Sequence, residues 1–137
     1  MEAAGVGVED IDMVFVGTTS PDLIFPNIAT IIQHKMGIPA CPCYAVEAAC
    51  SGFVYALSSA DKFIRCGDAK RVVVIGAEII TRLIDWNDRS TCVLFGDGAG
   101  AVVLEAADEP GILSTHLGAD GQYQKLLYYP VGVSTDL

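Results

Sequence analysis

The chain has 137 residues, of which 52% are hydrophobic, and carries a formal net charge of −9. That is enough apolar material for one packed domain, and the acidity argues against nucleic acid or an anionic membrane surface, both of which need a basic footprint. No apolar run reaches the roughly 18 residues a bilayer span requires, and the first 25 residues hold acids where a secretion signal would be basic, so a soluble cytoplasmic protein is expected.

Met1–Gly7 reads as the tail of a helix with Gly5 and Gly7 as terminators, followed by a turn at Glu9-Asp10. Met13–Gly17 is a buried strand, and Thr18–Asp22 is a polar turn at its carboxyl end, where ligands collect in open α/β sheets. Pro26 and Asn27 open a helix to about Met36 with Ile28, Ile31, Ile32 and Met36 on one face, closed by Gly37-Ile38-Pro39. Cys43–Ala48 is a second strand. A helix then runs from Cys50 to about Arg65, with Phe53, Val54, Ala56, Leu57, Ala60, Phe63 and Ile64 as its buried side. Arg71–Ala77 is the most strand-like run in the chain. Strands alternating with helices predict a largely parallel sheet.

From Glu78 to Thr91 the pattern turns polar, and Asp85–Arg89 reads either as the border of a binding mouth or as a solvated loop around Trp86. The glycines of Gly96–Gly100 lack the lysine of a phosphate-binding loop and do not match a dinucleotide fingerprint, so a nucleotide-phosphate role is not expected. They are expected to form a loop or short helix crossing near Cys50 before Ala101–Glu105 enters the sheet as an edge or antiparallel strand. Gln122–Leu137 reads as an exposed excursion.

Cys50 stands where a strand meets a helix start, so the helix dipole and unpaired N–H groups favour its thiolate and make it a candidate nucleophile. Position alone leaves open the alternative of a small, inert buried cysteine. Five cysteines, an odd number, fit a reducing compartment better than a disulfide framework. Cys41 and Cys43 form a Cys-x-Cys pair, but no second ligand pair follows at zinc-site spacing, so no metal is expected.

Glu47–Phe53, Asp88–Thr91 and Leu94–Ala101, continued by Glu109–Leu117 and Ala119–Gly121, together resemble β-ketoacyl-acyl-carrier-protein synthase III. The resemblance covers almost the whole chain. It implies a thiolase-like layered α/β half with a mostly parallel sheet and an antiparallel edge strand, residues 1–137 forming one partial domain of a duplicated fold. It implies that Cys50 accepts an acyl group from coenzyme A and that the acyl-enzyme condenses with malonyl-acyl-carrier protein as carbon dioxide leaves. By the same resemblance Arg89 packs on the coenzyme A adenine, while Thr19, Ile80, Leu94, Phe95 and Leu127 shape the acyl pocket. Phe25 reaches into a partner's pocket, so a homodimer is implied. No permanently bound cofactor is implied, the coenzyme A thioester being a substrate.

The family's catalytic histidine and asparagine belong to its second half and have no counterpart in this sequence, His34 and His116 standing outside that motif. Its first strand, its adenine-stacking tryptophan and its glycine-rich closing segment are also without a match. That first strand is expected between Met13–Gly17 and Arg71–Ala77, which would leave both edges unpaired in its absence. The chain by itself is therefore expected to be incomplete for condensation. Alternatives kept open are another thiolase-like acyltransferase, such as a thiolase, a polyketide starter synthase or a hydroxymethylglutaryl-coenzyme A synthase, and a non-catalytic dimerisation fragment.

Overall fold

In the computed structural model, residues 1–109, 111–132 and 134 are described. Four strands, β1 (Met13–Gly17), β2 (Cys43–Val46), β3 (Arg71–Ile79) and β4 (Asp97–Glu105), form one sheet in the order β2-β1-β3-β4. Two helices, α1 (Ile28–Met36) and α2 (Gly52–Cys66), complete the layers. β1 is parallel to both β2 and β3, and β4 runs antiparallel beside β3. The predicted parallel sheet with an antiparallel edge strand is thus the observed one.

The sheet corrects one expectation directly. Met13 to Gly17 pairs residue for residue with Val72 to Gly76, so no gap for a missing strand separates β1 from β3. The backbone groups of both strands are used in that ladder, and the unpaired edges predicted there do not exist.

β1 is buried along its whole length, as an apolar run flanked by strands on both sides and helices on both faces should be. Alternation divides it between two cores. Met13 and Phe15 face α2 with Val72, Val74, Ala56 and Ala60, whereas Val14 and Val16 face α1 with Val73, Ala29 and Ile38. Fully burying each of these valines contributes about 1.5–3 kcal/mol. Tyr44 on β2 stacks on Phe15 with centroids 4.7 Å apart, and Phe63 of α2 leans on both rings.

α1 begins and ends where its sequence signals lie. The Asn27 side chain accepts a hydrogen bond from the Thr30 amide, and Gly37 closes the helix at φ 72°, a left-handed geometry suited to glycine. Ile28, Ile32 and Met36 pack on the α1-side core, and His34 lies exposed in the last turn. In α2, Val54 departs from the predicted buried face and is 46% exposed. The leading segment forms two short three-ten turns, Glu2–Ala4 closed by Gly5 at φ 64° and Val8–Asp10, rather than an α-helical tail.

β2 stops at Val46, two residues short of expectation, and β3 continues two residues further, to Ile79. The glycines at 98 and 100 form strand β4 rather than a crossing loop, with Gly98 opposite Glu78 and Gly100 opposite Gly76. Beyond β4, residues 111–118 lie along α2, held by Arg65 to the Ile112 carbonyl (2.7 Å), by a Ser58–Thr115 hydroxyl pair (2.9 Å) and by Tyr55 to the Gly118 carbonyl (3.1 Å). The described residues after Gln122 are exposed, as predicted; Val133 and residues 135–137 lie outside the described residues.

The start of β3 is held by Asp12, whose carboxylate accepts the Lys70 and Arg71 amides at 2.8 and 2.9 Å. Those two amides, Arg71 first, hold its carboxyl below the ordinary value. A depressed folded-state value contributes stability that is present above the unfolded value and lost as pH falls through the folded one. Asp12→Ala should therefore flatten the acid limb of stability, read by chemical unfolding from about pH 5 down to about pH 2. An unchanged limb would show that the carboxylate contributes nothing there.

Candidate functional site

The carboxyl end of the sheet is where β1 and β2 finish against the start of α2. Three glycines set that approach. A Cβ added to Gly17 would lie 2.4 Å from the Gly52 carbonyl carbon, and one added to Gly52 would lie 3.3 Å from the Gly17 Cα. The backbone of β1 and the first residue of α2 therefore touch with no side chain between them. At Gly76 of β3, an added Cβ would meet Phe53 at 3.1 Å, so that ring lies directly on the sheet. A helix seated on backbone at two strands has little freedom to shift.

Cys50 occupies a three-ten turn, Ala49–Ser51, that leads into α2, rather than the first turn of the helix proper. Ala49 explains the break, since its φ of 44° is the one positive value on a non-glycine among the described residues and cannot continue a right-handed helix. Such strain collects at functional sites because the surroundings must hold it in place. Ser51 is the N-cap of α2 but makes no side-chain cap hydrogen bond, so the positive end of the helix is not occupied by its own hydroxyl. Cys50 is exposed in this chain rather than buried, as the inert alternative would have it.

Beside this corner, β3 and β4 present a glycine floor. Gly76, Gly98 and Gly100, with Ala99, Ala101, Val102 and Phe53, line an apolar hollow of about 500 Å³ on the sheet face that carries α2. A groove of about 370 Å³ opens towards α1, lined by Ile28, Ile31, Ile32, Ala77 and Ile79 among others.

The sheet end holds a polar cluster in which the predicted polar turn at Thr18–Asp22 meets Glu78, a residue outside the predicted site. The Glu78 carboxylate accepts the Thr19 amide at 2.8 Å, the Thr19 hydroxyl at 3.1 Å and the Ser20 hydroxyl at 2.6 Å, with the Thr18 hydroxyl at 3.5 Å. Ser20 in turn accepts the Ile79 amide at 2.8 Å. A charged residue ending an apolar strand run, and a Thr-Thr-Ser ending another, were the available signal.

Of the other predicted site residues, Thr19 and Ile80 are half-buried at the strand ends, Ile80 in a three-ten turn that follows β3. That turn is tied to β4 by Asp97, which accepts the Thr81 amide at 2.9 Å and its hydroxyl at 2.7 Å. Arg89 is exposed on a turn organised by Asp88, whose carboxylate accepts the Ser90 and Thr91 hydroxyls, both at 2.6 Å. Those hydroxyls, Ser90 first, hold the Asp88 carboxyl below its ordinary value. Phe95 is half-buried, but Phe25, Leu94 and Leu127 are 83%, 72% and 67% exposed. Within this chain those three do not close an apolar slot with Thr19 and Ile80.

Among the described residues no group of three or more His, Cys, Asp or Glu side chains is placed to hold a metal, and no helix is long and apolar enough to cross a membrane.

The profile of the 3-oxoacyl-(acyl-carrier-protein) synthase III family matches residues 44–121, more than half of the chain and the stretch that runs from β2 through Cys50, Arg89 and β4. The chain belongs to that family. Its similarity extends beyond the matched stretch. The β-ketoacyl-(acyl-carrier-protein) synthase III of Xanthomonas campestris is 64% identical over 134 residues, and that of Xylella fastidiosa is 60% identical. The chain spans 41% of the length of each of these curated relatives, and 98% of the chain is aligned. The crystal structure of the Thermus thermophilus synthase III superposes with a TM-score of 0.85 at 42% identity, covering 93% of this chain and 40% of that one. The structure of a priming β-ketosynthase from the R1128 polyketide pathway gives 0.77 at 40% identity, covering 80% of this chain and 33% of that one.

In this synthase III chain the five cysteines differ in setting. Cys50 and Cys66 are exposed, while Cys41, Cys43 and Cys92 are partly covered. Burial first, then the neighbouring Cys43, pushes the Cys41 thiol up to about 11. A raised thiol holds less of the thiolate, the form that reacts with alkylating agents. Iodoacetamide should therefore label Cys50 first and Cys41 last, with exposed Cys66, at the opposite end of α2, separating exposure from the helix-start effect. Equal labelling rates at Cys50 and Cys66, read by peptide mass spectrometry, would remove the helix-start effect from the account.

Proposed function

We propose that this chain supplies the acyl-accepting part of a β-ketoacyl-acyl-carrier-protein synthase III, a transferase that starts fatty-acid synthesis. The Cys50 thiolate attacks the thioester carbonyl of an acyl-coenzyme A, the carbonyl electrons move onto oxygen, and coenzyme A leaves as its thiolate when the carbonyl re-forms. The acyl group then rests on the Cys50 sulfur as a thioester. In the complete enzyme, malonyl-acyl-carrier protein loses carbon dioxide and its enolate carbon attacks that thioester. The product is a 3-oxoacyl-acyl-carrier protein, and the Cys50 thiolate is released.

The observation that carries the reading is the placement of Cys50: exposed, next to a strained Ala49, at the start of a helix whose first residue is seated on the backbone of β1. The exposed Arg89 guanidinium supports a contact with the adenine of coenzyme A. The 83% exposure of Phe25 supports its reaching a second copy, whose acyl pocket it would close together with Thr19, Ile80, Leu94, Phe95 and Leu127. Homodimer, acyl-carrier protein and acyl-coenzyme A are accordingly the proposed partners, in the cytoplasm, with no resident cofactor.

The test uses a chimera in which this chain replaces the corresponding stretch of the Xanthomonas campestris relative. Mixed with acetyl-coenzyme A alone, the chimera should release one equivalent of free coenzyme A thiol per chain and stop. Adding malonyl-acyl-carrier protein should start turnover to acetoacetyl-acyl-carrier protein. No thiol release from a folded chimera would contradict the reading. Release with acetyl-coenzyme A but no use of malonyl-acyl-carrier protein would keep acyl transfer at this chain and remove malonyl-acyl-carrier protein as the second substrate.

A further inference from the structure

By the alternation of β3, Glu78 shares a sheet face with Gly76, on which the Phe53 ring of α2 lies, and across the ladder it pairs with Gly98 of the glycine floor. Glu78 lines the groove on the α1 side together with Thr18 and Ser20, and its cross-strand partner Gly98 lines both that groove and the apolar hollow beside α2. The residues it holds leave β1 directly after Gly17, the residue pressed against Gly52. Three consecutive residues on this exit, Thr18, Thr19 and Ser20, turn their donors to the carboxylate. Their partner lies 58 to 60 residues further along the chain. The Thr18 amide is spent on the Val46 carbonyl of β2, 3.1 Å away, four residues before Cys50. One small cluster thus ties the exits of β1, β2 and β3 together around the start of α2.

A carboxylate is suited to this because its two oxygens accept several donors at once, and bonds to a charged acceptor are the strong ones. An apolar residue at 78 would leave the Thr19 amide and three hydroxyls to find other partners, and of the side-chain ties between the β1 exit and β3 among the described residues only the one between the Ser20 hydroxyl and the Ile79 amide would remain.

We propose that Glu78 is a positioning residue for acylation at Cys50: its carboxylate ties Thr18–Thr19–Ser20 to the end of β3 and fixes the wall against which α2 and its cysteine are set. Glu78 does not touch the reacting atoms. It acts through the β1 exit, and the proposal rests on the acyl-transfer reading of Cys50.

The test is made in the chimera with Glu78→Gln, Glu78→Asp, Thr19→Val and the Glu78→Gln/Thr19→Val double variant. Gln keeps the size and replaces one acceptor oxygen with a donor; Asp keeps both acceptors and the charge on a shorter stem. Glu78→Gln should lower kcat/KM for acetyl-coenzyme A by about tenfold, the effect of one lost charge-assisted hydrogen bond, and change the preference between acetyl and longer acyl groups. Hydrogen exchange at the Thr19 and Ser20 amides should speed up in the same variant. Glu78→Asp should recover most of the loss, and the double variant should be no worse than the poorer single one, because both changes break the same tie. Equal impairment by Asp and Gln, or Glu78→Gln with unaltered kcat/KM and acyl preference, would overturn the proposal while leaving acyl transfer at Cys50 intact. An unsubstituted chimera that takes no acetyl group would overturn the acyl-transfer reading and the proposal with it.

Discussion

Cys50→Ser in the chimera should abolish acetyl transfer, lowering its rate by at least about a thousandfold, while the protein still unfolds cooperatively at nearly the same denaturant concentration. The size follows from chemistry. A serine hydroxyl is very much weaker than a thiolate as a nucleophile near neutral pH. The small structural effect follows from exposure, because an exposed side chain has few packing contacts to lose. Cys66→Ser, at the far end of α2, serves as the matched control and should leave transfer unchanged. A Cys50→Ser protein that still released thiol from acetyl-coenzyme A would move the nucleophile elsewhere.

Gly17→Ala should have the largest structural effect of any single methyl group added to the chain. The new Cβ would meet three backbone atoms at once, the Gly52 carbonyl carbon at 2.4 Å and its oxygen and the Phe53 nitrogen at 2.7 Å. Backbone cannot rotate away as a side chain can, so either β1 or the start of α2 must move. A loss of roughly 3 kcal/mol or more is expected, at the upper end of overpacking costs, together with loss of acyl transfer as Cys50 is displaced. Gly76→Ala is the informative comparison. Its Cβ would meet only the Phe53 side chain, at 3.1 to 3.4 Å, and a ring can shift by a few tenths of an ångström. That change should cost on the order of 1 kcal/mol and preserve most transfer. If unfolding in denaturant ranked the two substitutions in the opposite order, the seating of α2 on β1 would not be what holds the site.

How far each feature could be read in advance depended on its range along the chain. Local signals carried through: the Asn27 cap, the left-handed Gly37 closure and the apolar run of β1 are each fixed by a few neighbouring residues. The strand-to-helix corner at Cys50 was legible as a local pattern, although β2 ends at Val46 and α2 begins at Gly52, with Cys50 in the three-ten turn between them. Pairing could not be read in this way. The glycines at 98 and 100 look like loop formers until Glu78 and Gly76 are known to lie opposite them, and the adjacency of β1 and β3 is invisible in either strand alone. The Glu78 cluster joins residues about 60 positions apart, so its meaning exists only in the folded sheet. Exposure was equally hard to foresee. Phe25, Leu94 and Leu127 carry the composition of a pocket, yet all three are exposed among the described residues.

The central claim is that one cysteine, set by backbone contact between Gly17 and Gly52, receives the acyl group. Peptide mapping by mass spectrometry of the chimera, quenched in acid after brief exposure to one equivalent of acetyl-coenzyme A, addresses it directly. The account predicts a single acetyl group on the peptide containing Cys50, removed by hydroxylamine as a thioester should be, with the peptides of Cys41, Cys43, Cys66 and Cys92 unmodified. Acetyl groups spread over several cysteines, or found on a cysteine other than Cys50, would contradict it.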